Sequence, residues 1–179
     1  MSTQMTSAFR FRWRSWLGLA VALFLLYGAL NFFGALFVPL SLHLNGPGAA
    51  GGVLVLSPTA DAALLGRSLA ELGQREPALG AYLVAFMDTM CAQMMSFAIV
   101  HLGVAWFALR RGERWALWTL LIGDLVILPY YAAVIQTFAR FGVPPGDVSY
   151  LGGVVIVLVA TALGWLGLRR GRASALASV

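Results

Sequence analysis

The sequence predicts an all-α protein: a transmembrane four-helix bundle, with both termini on one side and a short interfacial helix in the first outer loop. Three observations predict it. Hydrophobic residues make up 60% of the 179-residue chain and charged residues only 11%, where soluble domains carry about 25% charged residues. The apolar residues gather in four runs, each near the roughly 20 residues that a helical span requires. The arginines stand in short groups beside these runs, which the positive-inside rule explains more simply than a nucleic-acid-binding face. We therefore expect one four-span domain over 1–179 that has the lipid bilayer as its partner and no nucleic acid.

The first span is expected over 16–38. Arg10, Arg12 and Arg14 precede it, and Trp16 opens the apolar run. The run is too long for a signal peptide and no small-x-small cleavage site follows it, so the span is retained. Asn31 is its one strongly polar residue, a candidate for ligand contact or for an interhelical hydrogen bond. Gly18 with Ala22, and Gly28 with Gly34 and Ala35, offer small surfaces for close helix approach.

Residues 41–78 form the outer loop. Gly46-Pro47-Gly48 through Gly52 reads as a turn-rich stretch. A helix of about a dozen residues then starts at Thr59 as cap, with Asp61 in its first turn, leucines 65, 69 and 72 at helical spacing, and Gly73 as its stop. It is short enough to lie flat at the membrane surface.

The second span is expected over 79–109, with Pro77 in the opening turn. The third runs over 115–138 and should kink where Pro129 removes the bond to the Leu125 carbonyl. A short loop containing Arg140 and Pro144-Pro145-Gly146 leads to the fourth span, 148–168, which Asp147 or Ser149 caps and in which Ala160 and Gly164 face a neighbour. Nine of the twelve arginines flank one side, at the N-terminus, at 110–114 and after residue 168. Both termini are therefore expected in the cytoplasm and the protein in the inner (plasma) membrane.

The turn Arg110-Arg111-Gly112-Glu113-Arg114, followed by Trp115-Ala116-Leu117-Trp118, resembles one found in small bacterial four-span proteins, including the DoxX-like families. The long first outer loop with its short helix and proline is similar as well. The resemblance implies topology, and those families leave function open.

Candidate chemistry lies on the second and third spans. His101 stands 11 residues before Gly112 and Asp124 stands 12 after it. At about 1.5 Å per residue both lie about 16–18 Å along their helices and share a height. An acid inside a membrane span is costly and marks a functional site by default. The pair is a candidate proton relay or polar ligand contact, or a buried pair that fixes one packing. Met87, Met90, Met94, Phe97, His101, Val104 and Ala108 follow a 3,4 spacing that predicts one packing seam. Thioether and thiolate are soft ligands, so Met87, Met90, Cys91 and Met94 form a candidate Cu(I) set. The Met-x-x-x-Met spacing is similar to that of copper-uptake channels, whose methionine-rich outer tails are missing here. Asp88 is placed near the outer interface, where Arg140 is its expected partner.

Cys91 is the single cysteine, which excludes an internal disulfide and dithiol-shuttling chemistry. His43 and His101 sit at different heights, so a haem held by both is not expected, and no cofactor and no catalytic residue is assigned. The leading expectation is a non-enzymatic protein that binds an apolar or lipid-like ligand, a second copy or a partner subunit. Cu(I) handling, and an intramembrane enzyme or proton-coupled carrier using His101 and Asp124, are the alternatives.

Overall fold

The order of elements follows from where the chain can and cannot continue a helix. The computed structural model describes residues 11–46, 58–143 and 150–176. The turn-rich stretch from 47, the Pro144-Pro145-Gly146 loop and the caps assigned to Asp147 or Ser149 lie outside these. Among the described residues all regular structure is helical.

Helix α1 is Trp16–Asn45. The Ser15 hydroxyl accepts the Gly18 N–H at 3.1 Å, satisfying one of the donors orphaned at a helix start. The helix continues through Pro39 rather than ending at 38. Inside a membrane span, neighbours and local adjustments re-satisfy the carbonyl that a proline frees.

Between the first two apolar helices the described residues hold two short helices, not one: α2 (Pro58–Leu65) and α3 (Leu69–Arg75). Gly66 separates them with φ +69, a left-handed conformation that glycine adopts without steric cost. Ser68 restarts the helix with a capping box. Its hydroxyl accepts the Glu71 N–H, and the Glu71 carboxylate accepts the Ser68 N–H. The Ser68 N–H, aided by its hydroxyl, holds the Glu71 carboxyl below its ordinary value. Gly73 does not end α3. Its Cα lies 2.6 Å from where a Cβ on Gly80 would stand, so the two glycines let α3 cross the next helix backbone to backbone.

Helix α4 is Pro77–Gly103, followed without a break by a π-helical turn, Val104–Ala108, and a 3₁₀ turn, Leu109–Arg111. Gly112, at φ +80, reverses the chain. The third apolar helix is broken into α5 (Arg114–Leu125) and α6 (Leu128–Arg140). The break precedes Pro129, which cannot donate to the Leu125 carbonyl. Helix α7 is Tyr150–Leu176. Four stretches are long and apolar enough to cross a membrane: Trp16–Leu44, Pro77–Arg111, Arg114–Arg140 and Gly152–Arg170.

The chain forms two compact units, Met1–Gly28 with Val100–Leu125 and Gly152–Val179, and Ala29–Ile99 with Val126–Leu151. The first is cored by Leu17, Val21, Phe24, Leu109, Leu117, Leu120 and Val157, with alanines between them. Small residues set its spacing. A Cβ on Gly167 would meet the Leu17 backbone N at 2.5 Å, and one on Gly164 would meet the Leu117 side chain at 2.7 Å. Backbone contact of this kind stands in for the hydrophobic drive that lipid removes.

In the second unit Ala35, Leu42, Leu69, Leu72, Met87 and Cys91 form one cluster, and Ala60, Phe138 and Val143 another. The expected methionine seam is corrected here. The buried face of α4 runs through Met87, Cys91 and Ala98, with Met95 partly buried, while Met90, Met94 and Phe97 are exposed. Met87, His101 and Ala108 of that seam are buried as expected, so the departure is confined to Met90, Met94 and Phe97.

The backbone contact at Gly167 makes a contrast testable by thermal unfolding in detergent. Gly167→Ala should lower stability by about 1–3 kcal/mol through overpacking. Gly103→Ala, whose Cβ meets nothing within 4 Å, should be neutral or stabilising by about 0.5–1 kcal/mol, as expected for glycine replaced inside a helix.

Candidate functional site

Three polar side chains are buried among the described residues: Asp61, His101 and Asp124. Asp61 lies in the first turn of α2 and has interactions of its own. The other two meet inside the first unit. His101 Nδ1 lies 3.4 Å from Asp124 Oδ1, and each side chain is only 1% exposed. The equal height inferred from the hairpin is accompanied by facing side chains.

The imidazole is fixed from the other edge. Its Nε2 lies 3.1 Å from the Phe24 carbonyl oxygen on α1. A carbonyl only accepts, so Nε2 carries the hydrogen and donates it. Such close approach of a side chain to a helix backbone needs a gap, and Gly28 supplies it. A Cβ at Gly28 would fall 3.0 Å from His101 Cδ2 and 2.9 Å from Leu102 Cδ2. Phe24 and Tyr27 flank the imidazole with ring centroids at 5.8 and 5.6 Å. Gly153 on α7 in turn makes room for Tyr27, whose Cε2 would lie 3.1 Å from a Cβ there. All four apolar helices thus contribute to one histidine environment.

With Nε2 donating to the Phe24 carbonyl, Nδ1 is the ring nitrogen left to face Asp124. The 3.4 Å separation is long for a hydrogen bond, and both Asp124 oxygens are buried without one among the described residues. Buried polar atoms left without a partner are rare in folded proteins.

The backbone departs from regular helix on both sides of the pair. The π-helical turn starts three residues after His101, and the third span breaks directly after Leu125, the residue following Asp124. Single π-helical turns inside α-helices occur often at functional sites.

The remaining candidates lie in the second unit and do not converge on one group. Met87 and Cys91 touch, with the thiol 3.6 Å from the thioether sulfur, and both are buried. Met90 and Met94 are exposed on another face of the helix. The four sulfur residues are thus split into two pairs. Asp88 does not use Arg140. Its two oxygens lie 2.9 and 3.1 Å from His43 Nε2, because the overrun of α1 past Pro39 carries His43 onto helix beside α4. Asn31 is half-buried on α1 and makes interactions of its own.

Sequence reasoning missed Phe24, Tyr27, Gly28 and Gly153 as parts of the histidine environment. A backbone carbonyl has no side-chain signature. Gly28 was visible only as a small residue in an apolar run. Comparison with family models, with curated proteins and with solved structures gave no match.

Two double-mutant cycles separate real pairs from expected ones. His101→Ala with Asp124→Asn should show a coupling of about 0.5–3 kcal/mol in thermal or denaturant unfolding. Asp88→Asn with Arg140→Gln should be additive, whereas Asp88→Asn with His43→Gln should couple by no more than about 1 kcal/mol, as for exposed ion pairs.

Proposed function

We propose that this four-span protein is a proton-coupled membrane carrier, with His101 and Asp124 as the paired groups that hold the coupling proton. One observation carries the reading: a histidine and an acid in adjacent membrane-spanning helices face each other at 3.4 Å, fully buried, with the acid's oxygens lacking hydrogen bonds among the described residues. Ionisable residues inside spans are expensive, and proton relays are among the uses that retain them. The π-helical turn and the helix break beside the pair supply places where a change of protonation can be taken up by the backbone.

This reading is preferred to an apolar-ligand, partner-subunit or Cu(I) role because it uses the only buried ionisable pair among the described residues. It is preferred to an enzymatic one because a proton relay needs no further reacting group. The arginine distribution supports a multi-pass orientation in the inner membrane with both termini cytoplasmic.

Proton binding at a site inside the bilayer moves charge across part of the membrane, even when the transported compound is unknown. Proteoliposomes on a solid-supported membrane, stepped in pH, should therefore give a transient current for wild type. Asp124→Asn should abolish it while circular dichroism and melting confirm the fold. Absence of a current in wild type, or an unchanged current in a folded Asp124→Asn protein, contradicts the proposal.

A further inference from the structure

All six tryptophans of the chain belong to the first unit: Trp13, Trp16, Trp106, Trp115, Trp118 and Trp165. So do the arginines of the hairpin turn and of the end of α7. The two residue types are interleaved. The Arg110 guanidinium lies 4.2 Å from the centroid of Trp106, Arg169 lies 4.6 Å from Trp165, and Arg170 lies 5.5 Å from Trp16. The indoles also touch one another. Trp13 contacts Trp106 at 6.1 Å, and Trp118 meets Trp165 edge-on at 5.7 Å.

Stacking fixes a guanidinium by its face and leaves its N–H edge available, the edge that grips two oxygens of a phosphate at once. Those edges are not spent on carboxylates. Arg110, Arg111, Arg114 and Arg169 make no salt bridge among the described residues. The one acid near the turn, Glu113, accepts the indole N–H of Trp115 instead. Tryptophan favours the headgroup depth of a bilayer, where its ring is half apolar and its N–H is wet. Guanidiniums held at that depth match the phosphodiester of an anionic phospholipid in position and charge.

We infer that the tryptophan-backed arginines Arg110 and Arg169 each bind the headgroup of an anionic phospholipid. The guanidinium edges take the phosphate oxygens and the indoles lie along the glycerol and upper chain. These sites are separate from the His101–Asp124 pair, and their failure would leave the proton-coupling proposal standing.

Trp106 and Trp165 lie against these arginines, so intrinsic fluorescence is the readout. Full-length protein is placed in phosphatidylcholine nanodiscs containing a small fraction of brominated-chain lipid, either phosphatidylglycerol or phosphatidylcholine. Brominated phosphatidylglycerol should quench preferentially. Each of Arg110→Gln and Arg169→Gln should cut that preference roughly fivefold. Arg110→Lys/Arg169→Lys, which keeps charge and loses the planar fork, should restore it only in part. Equal quenching by the two lipids overturns the inference, as does a preference untouched by the glutamine variants. Full restoration by lysine reduces the effect to general surface charge and overturns the guanidinium site. Displacement of the brominated lipid by inorganic phosphate identifies a soluble-anion site and also overturns it, while melting curves confirm that each variant is folded.

Discussion

The donation of the His101 Nε2 hydrogen to the Phe24 carbonyl is the contact on which the rest of the first unit depends. It fixes which edge of the imidazole faces α1, and so which edge is left for Asp124. The neighbouring positions are fitted to it. Gly28 leaves the gap, because a Cβ there would press on the imidazole edge and on Leu102. Tyr27 flanks the ring at a tilt, and Gly153 leaves room for Tyr27. The hydrogen bond, the aromatic flank and the two glycines thus form one packed group. Packing and hydrogen bonds of this kind, not the expulsion of water, hold helices together in lipid.

The energetic balance of the pair is unusual for a structural element. A buried ion pair offsets its desolvation only with excellent geometry and additional hydrogen bonds. Here the separation is 3.4 Å and the Asp124 oxygens have no further donors among the described residues. A pair kept for packing alone would be stabilised by replacing both members with apolar residues of similar volume. The local backbone adds to this. The second span opens into a π-helical turn just after His101, and the third breaks just after Asp124. Under the proposed carrier reading, this irregular backbone is where the helix takes up a change of protonation.

The apolar architecture was legible in the sequence because lipid imposes length and composition directly. Four long apolar runs and the proline-induced break in the third span needed only counting and the missing N–H of Pro129. The shared height of His101 and Asp124 came from the hairpin alone, since rise per residue is fixed. Their mutual facing did not, because azimuth depends on the π-helical turn, which has no residue signature. The methionine seam failed only in part. Met87, His101 and Ala108 are buried as the spacing expects, but Cys91 and Ala98, not Met90 and Met94, complete the buried face between them. Asp88 was given the wrong partner because α1 was expected to stop at Pro39, and His43 was therefore left in a loop. The second short helix was hidden by reading Leu65, Leu69 and Leu72 as one stripe across the glycine that divides them.

The central claim is that Nε2 is the fixed, donating nitrogen of His101 and that Nδ1 is the nitrogen facing Asp124. Nitrogen-15 magnetic resonance of histidine-labelled protein in lipid reads both ring nitrogens, with His43→Gln removing the only other histidine. The account predicts a protonated, hydrogen-bonded Nε2 for His101 and an Nδ1 resonance that moves when Asp124 becomes asparagine. A bare Nε2, or an Nδ1 indifferent to that substitution, would contradict it.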